Sequence, residues 1–451
     1  MEDAVVASQL VTPQWLAVLC LASLLILFGP RKWILPLLMV VTGLFSVRNR
    51  MDLGGMNFPT VRFLLLVSWV RILMKGEHRG LERVPLDKAW ILFCCWCVIT
   101  ETLQRGFPGT VYAGATRLYD GLGTYFLVRI LLRGADLSTL TRLMPAFAVV
   151  CCILGTFMFL EQVTGRTLLT LLGADSAAVQ VREGKIRSVA TFQHPVLAGT
   201  YGVVLLPLFA ACWWQQRMRP IAVVGSVGAT VMALTANSGG PIMTYASVIL
   251  AVCLWPLRRN LRPIRWGVLI TLVFLQLVMN GPVWSLIAHL HVIEGASAYH
   301  RYEIVDAFMR HLGDWWLIGT EETESWGAET WDVANTYLVV AKHGGLLGLI
   351  LFIRVIVACC REIGWRRSEV EFDRPTEILV WALGASFCAH LVSFFGTSYF
   401  DQTNVLWHFT LALIASLTFL IKEQNKILDP IAEEGAESEN DVHLGTALPA
   451  S

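Results

Sequence analysis

Residues 264–280 read IRWGVLITLVFLQLVMN, an apolar run, and the stretch after it, from Gly281 to Trp331, is acidic, aromatic and polar. The junction decides the fold. A run of about 20 apolar residues suits a helix crossing a hydrocarbon core of roughly 30 Å. Such runs recur from end to end of the 451-residue chain, and the segment after Met279 is their one long interruption. With 55% hydrophobic and 15% charged residues, the chain lacks the charge that a soluble surface needs. Apolar runs lie near 14–29, 33–47, 59–74, 88–103, 118–133, 140–161, 190–214, 220–236, 241–257, 264–280, 335–358, 376–395 and 403–421. They predict an all-α, polytopic transmembrane bundle of about 12–13 helices. Strand-like alternation is absent, which excludes a β-barrel.

Lys and Arg set the orientation. Alternate connections, around Arg31–Lys32, Arg71–Lys88, Arg129–Arg142, Arg217–Arg219, Arg258–Arg265 and Arg361–Arg374, hold most of the basic residues. The positive-inside tendency assigns that set to the cytoplasm. The long loop is then outside, together with the N-terminus and the short connections at 164–188, 237–240 and 396–402. The expected organisation is an N-terminal bundle over 1–280, an outer loop over 281–334 containing short amphipathic helices, C-terminal membrane helices over 335–422, and a disordered acidic cytoplasmic tail over 423–451.

The net charge is +1, and no basic, aromatic-interleaved patch points to nucleic acid. The 11 cysteines fall in or at the ends of the apolar runs, as small packing residues do, and not in an outer loop where a disulfide framework or zinc cluster would sit. The first apolar run lacks a basic leader and is followed by Arg31 and Lys32, so no cleaved signal peptide is expected. Few charges fall within the spans, and Glu161, Asp120 and His390 read as terminal or isolated.

Two outer regions carry cations. Between Gly281 and Ala334 the only basic residues are Arg301 and Arg310. Arg301, Val305, Phe308 and Leu312 recur at helical spacing, which places the guanidinium on the apolar stripe of an amphipathic helix. There it could reach lipid headgroups, pair with Asp306, or bind a phosphate of a lipid-linked substrate. The second region is Arg182, Lys185 and Arg187, followed by Val189-Ala-Thr-Phe-Gln-His194-Pro195, which enters the membrane. Clusters converging on one anion would make a diphosphate site. Asn335 opens the next span as an expected cap, and Gly345 and Gly348 would let a neighbouring helix approach. Glu321, Glu322 and Glu324 could bind a divalent cation only if their oxygens converge, and such an acidic run reads as a solvated loop; no metal is expected. Trp284, Trp315, Trp316, Trp326 and Trp331 suit either sugar stacking or interfacial anchoring.

The order of these features resembles the O-antigen ligase family, the superfamily that also contains Wzy-type polysaccharide polymerases. Three blocks carry the resemblance. Arg187-Ser-Val-Ala-Thr-Phe-Gln-His-Pro195 is similar to the family's arginine followed by a Gly-Thr-Phe-x-Asn-Pro-Asn-like helix entry. The Arg301 helix, ending in Trp315-Trp316-Leu-Ile-Gly319, resembles the arginine-bearing periplasmic helix. Asn335 to Gly348 resembles the motif of His, then Asn, Ser or Gln, then nine residues, then Gly-x-x-Gly. Together they span about the central third of the chain, Arg182 to Phe352.

The resemblance implies a GT-C-like membrane glycosyltransferase, acting without cofactor or metal in the bacterial inner membrane. It would polymerise or transfer a glycan from undecaprenyl diphosphate on the periplasmic side, with inversion at the anomeric carbon. Arg187 and Arg301 are the expected catalytic contacts to the diphosphate, and Lys185, Arg182, Arg310, His194 and Asn335 the expected substrate-binding residues. Membrane lipid and other polysaccharide-assembly proteins are the further partners implied. Ala334 stands where the ligase motif has its histidine, which favours polymerisation over ligation to a lipid or protein acceptor. His300, His311, His343, Glu303 and Asp332 are the candidates for a replacement base, with His343 read as a polar packing residue. Gly239 in Asn237-Ser-Gly-Gly-Pro241 replaces an arginine that the family often carries, leaving that stretch as a tight turn. A lipid-linked glycan transporter and a non-catalytic assembly factor are the alternatives.

Overall fold

Each apolar run read from the sequence contains a helix in the computed structural model, which describes residues 9–10, 13–45, 49–53, 56–167, 179–279, 281–289, 295–327, 330–371 and 373–444. The first half comprises α1 (Pro13–Phe28), α2 (Arg31–Leu44), α3 (Thr60–Lys75), α4 (Pro85–Arg105), α5 (Phe107–Ala113), α6 (Thr124–Leu132) and α7 (Ser138–Thr164). Then come α8 (Pro195–Cys212), α9 (Arg219–Thr235), α10 (Gly239–Cys253), α11 (Leu261–Val278), α12 (Gly295–Arg310), α13 (Leu312–Trp315), α14 (Thr336–Glu369), α15 (Arg374–Ser393) and α16 (Asp401–Leu444). Among the described residues, five helices are long and apolar enough to cross a membrane: α7, α8, α9 with its leading turn, α15 and the Asp401–Lys426 part of α16. Large apolar side chains such as Leu21, Leu24, Val227, Leu250, Phe274 and Leu277 face outward. Patches of that kind are tolerated where lipid is the solvent.

Small residues bring the helices together. Without a hydrophobic drive between helices in lipid, close backbone approach and dispersion hold a bundle. A Cβ on Gly155 would lie 2.9 Å from the Gly228 carbonyl oxygen, and one on Gly228 would lie 2.7 Å from the Cys151 carbonyl carbon. The α7–α9 contact therefore excludes any side chain at either position. Gly202 approaches the Ala229 carbonyl oxygen in the same way at 2.9 Å, joining α8 to α9. Buried charge is paired between helices: Arg129 of α6 meets Asp87 of α4, which also accepts the Tyr125 hydroxyl at 2.7 Å.

Several boundaries differ from the sequence reading. The span expected from 190 begins at Pro195, because Ser188–His194 runs non-helically into the bundle and Ala190 has a φ of 47°. Pro195 then suits the first helical turn, where its missing N–H costs nothing. The run expected over 118–133 is π-helical over Gly114–Gly123 before it becomes α6. α12 ends at Arg310, so Leu312 opens α13 and is exposed, and the buried face of α12 is Ile304, Ala307 and Phe308. Two small sheets interrupt the all-α reading: β1 (Gln9–Leu10), β2 (Asn49–Leu53) and β3 (Met56–Pro59), and a hairpin of β4 (Gln180–Arg182) and β5 (Lys185–Arg187). α16 continues to Leu444 and so covers part of the stretch read as a disordered tail; residues 445–451 lie outside the described ones.

α14 is broken. Gly345 has φ 62° and ψ −165°, so two helical pieces meet at a kink. The neighbour that fills it is a loop segment and not a helix: a Cβ on Gly345 would lie 2.6 Å from the Leu317 carbonyl oxygen. Gly344 and Gly348 meet Trp96 of α4, whose indole donates to the Gly344 carbonyl at 2.7 Å.

Candidate functional site

A cavity of about 550 Å³ lies where α3, α4, the π-helical segment, α14 and α16 meet, closed on one side by the turn between α15 and α16. Its wall carries a cluster of charged and polar side chains among apolar ones. Arg62, Arg117 and Asp120 come from the first half of the chain, His343 from α14, and Asp401, Asn404 and His408 from α16. The π-helical segment explains the clustering. Its wider turn is rare and recurs at functional sites. Here it puts Thr116, Arg117, Asp120 and Gly121 on the cavity.

The charges are organised in pairs. Arg62 grips Asp120 with two bonds, Nε to Oδ1 at 2.9 Å and Nη2 to Oδ2 at 2.7 Å. Arg117 donates from Nε to the buried Glu101 at 3.2 Å. Asp401, a non-glycine residue at φ 53°, accepts the Gln193 amide on Oδ2 at 3.2 Å and the Thr403 amide on Oδ1 at 3.3 Å. In so apolar a frame each charge acts through a low effective dielectric, so ions on this wall interact far more strongly than in water. Asp120 is therefore not isolated, and Glu161 is not either, since its Oε2 accepts the Val189 and Ala190 amides at 2.9 and 3.2 Å. His390 bonds with the Tyr399 hydroxyl at 3.1 Å and the Thr410 hydroxyl at 3.2 Å. Sequence reading missed these relations because the partners of Arg62, Glu161 and Asp401 come from other elements of the fold.

Arg187 ends the hairpin and is 8% exposed, whereas Arg182 and Lys185 are exposed. Glu183 and Gly184 form the turn with φ of 53° and 73°, the pair of positive values that a two-residue hairpin takes. Glu-Gly between short alternating strands was the missed signal. Gln162 and Asn237 bolt the hairpin down, both donating to the Ile186 carbonyl at 2.6 Å. The Asn237 break is thus more than a tight turn: it fixes the strand that carries Arg187. His194 caps α8, its Nδ1 accepting the Val196 amide at 3.2 Å. Burial, reinforced by Arg187 and Arg182, lowers the His194 pKa to about 4, so the ring is neutral at neutral pH.

Arg301 is half-buried on α12, its guanidinium against Gly396 at a distance that would leave 3.7 Å to an added Cβ. Neither Arg187 nor Arg301 lines the cavity. Each lies beside a segment that does: the Arg187 strand leads to Gln193, and Gly396 precedes Ser398 and Tyr399. Arg310 sits on the loop surface, 74% exposed and paired with Asp306 at 2.5 Å, so Asp306 serves that residue. Asn335 caps α14 as expected, its Oδ1 accepting the Tyr337 and Leu338 amides at 3.0 and 3.2 Å. Of the five candidates for a replacement base, His343 alone lines the cavity. His311 stacks on Trp326 with ring centroids 4.8 Å apart, and Asp332 is exposed. Glu321 pairs with Arg105. Trp315 and Trp326 pack with Phe308 in the core of the loop, while Trp316 and Trp331 are exposed.

No protein-family model matches this chain, and no curated protein matches it.

The loop is tied to the cavity wall through α14. The Leu346 amide donates to the Trp316 carbonyl and the Thr320 amide to the Lys342 carbonyl, each at 2.8 Å. Gln104 of α4 donates to the Ile318 carbonyl and, at 3.1 Å, to the His343 carbonyl. Movement of the 316–320 segment thus acts directly on the turn of α14 that bears His343.

Proposed function

We propose that this chain is a metal-independent, inverting glycosyltransferase of the bacterial inner membrane that polymerises a glycan carried on undecaprenyl diphosphate. The observation that carries the reading is the cavity with Arg62 and Arg117 on its wall and Arg187 and Arg301 beside it, in a bundle that includes five helices long and apolar enough to cross a membrane, one of which, α16, lines the cavity. The segments bearing Arg62, Arg117, His343 and Asp401 start at the end of the bundle that the Lys and Arg pattern assigns outside. The long loop packs there as well. The resemblance to the O-antigen ligase and Wzy-type superfamily, in a GT-C-like bundle, supports the same reaction.

In that reaction an acceptor hydroxyl attacks the anomeric carbon, the bond from that carbon to the diphosphate oxygen breaks, and the electron pair leaves on the diphosphate. Negative charge grows on the leaving group. Cations held in place beforehand stabilise that charge more than the ground state, and this is the condition for acceleration. Arg117 and Arg62 are suited to it because their carboxylate partners fix the forks in position. The hydroxyl proton needs an acceptor within hydrogen-bond reach. His343 and Asp401 face the cavity without an ion-pair partner of their own in the bonds described above, while Asp120 is held in the ion pair with Arg62. Ala334 contributes no such group, and the cavity supplies it from other elements.

The test is incubation of reconstituted protein with an undecaprenyl-diphosphate oligosaccharide, followed by sizing of the products. Asp401→Asn and His343→Gln separate the two proton acceptors: the variant of the true base binds donor yet makes no product. Donor that crosses the membrane without elongation would point instead to a transporter.

A further inference from the structure

We propose that the groove between α8, α10 and α15 is a binding site for one anionic phospholipid, its acyl chain in the groove and its phosphate at Arg374. The groove, about 360 Å³, shares no lining residue with the cavity described above. Its floor is a single stripe of α15: Arg374, Ile378, Trp381 and Ala382 recur at i, i+4, i+7 and i+8. The stripe is charged where the helix starts and apolar from there inward. Ala210 of α8 and Trp214 in the turn just after it form part of the facing wall, the alanine leaving the space and the indole bounding it.

A lipid tail explains the apolar part, and the cations explain why the headgroup is anionic. Arg374 is exposed at the mouth and heads α15, so the amides of that first turn add their partial positive charge. Arg258 stacks on the groove residue Trp255, its Cζ 4.1 Å from the ring centroid. Arg258 and Arg367 share the buried Glu377 at 2.8 and 3.0 Å, so these three residues together keep one positive charge. Trp255 and Trp381 meet edge to face at 5.9 Å, and the Trp381 indole donates to the Ala251 carbonyl at 3.1 Å, which holds the wall rigid. Tryptophans beside arginines are the composition of an interface between hydrocarbon and headgroups. Basic pockets between membrane helices on the cytoplasmic side select anionic headgroups. The inference rests on the apolar helices that make this a membrane protein and is independent of the catalytic reading.

The test is native mass spectrometry of the full chain in detergent, after incubation with phosphatidylglycerol or with phosphatidylcholine of the same acyl chains. One phosphatidylglycerol is expected to be retained in preference to phosphatidylcholine. Arg374→Gln should weaken that retention about fivefold, the effect of one basic side chain near the headgroup plane, and Arg374→Lys should restore most of it. Ala210→Trp, which fills the groove and leaves the charges in place, should lower retention of both lipids. Equal retention of the two lipids by the native chain would overturn the proposal. So would unchanged phosphatidylglycerol binding by monodisperse Arg374→Gln and Ala210→Trp proteins.

Discussion

Replacing Gly345 by alanine tests whether the loop and the broken helix act as one unit. The added Cβ would lie 2.6 Å from the Leu317 oxygen, 2.7 Å from its carbon and 3.0 Å from the Ile318 nitrogen. All three are backbone atoms, so no rotamer change relieves the clash. The φ of 62° and ψ of −165° also fall in a region open almost solely to glycine. That conformation costs an L-residue about 1–3 kcal/mol. The clash pushes the 316–320 segment away and endangers the two 2.8 Å bonds between it and α14, each worth about 1 kcal/mol. The docked arrangement should therefore lose roughly 3–5 kcal/mol, a shift of about two to four orders of magnitude in the local opening equilibrium. Hydrogen exchange read by mass spectrometry gives the answer directly. Protection should fall at the Thr320 and Leu346 amides and stay unchanged in α7, α8 and α9. Gly348→Ala is the control, because its Cβ would meet Trp96 at 3.5 Å and the Val340 carbonyl oxygen at 3.6 Å, both ordinary contacts, and alanine in a helix is favoured over glycine by about 1 kcal/mol. Native protection in both variants would refute the argument, since the loop would then accommodate a methyl group where the geometry leaves no room.

His194 should give the fold a dependence on pH. Its pKa is about 4 in the folded chain against an ordinary value of 6.5. The unfolded chain therefore takes up the proton first as pH falls below 6.5. Stability should be complete above that value, decline between 6.5 and 4, and level off below, by about 2 kcal/mol after allowance for the ring's partial exposure. His194→Asn keeps a cap and should remove that step from thermal unfolding in detergent. Asn335→Ala removes the cap of α14 and should cost about 1 kcal/mol in the same assay, while an unchanged midpoint would show that the loop alone fixes the start of the helix. Asn237→Ala should loosen the hairpin bearing Arg187, visible as faster exchange at residues 180–188 with the bundle amides unaffected.

The bundle was legible because membrane-crossing helices must be apolar over a fixed length, and that constraint is written in local composition. The Asn335 cap was legible for the same reason: it acts on the two amides that follow. The hairpin at Arg187, the break at Gly345 and the cavity were not legible in the same way. Arg62 and Asp120 stand 58 residues apart in the sequence, and the bond between Gln193 and Asp401 spans 208 residues. No periodicity reports such a meeting. Glycine at 345 was visible, but the reading assigned it to helix contact, and only the left-handed φ shows that a loop backbone takes that place. The loop arginines divide on a similar point. Arg301 and Arg310 look alike in sequence, yet one sits half-buried against Gly396 and the other is exposed and paired with Asp306.

The most direct measurement is product formation by the reconstituted protein from an undecaprenyl-diphosphate oligosaccharide, with Arg117→Ala and Arg301→Ala beside the native chain. A ladder of longer glycans that falls by about 10²–10³ in rate for Arg117→Ala, and is lost for Arg301→Ala while both variants remain folded, is the predicted result. An unchanged ladder in both variants, or no product from folded native protein and intact donor, would contradict the account.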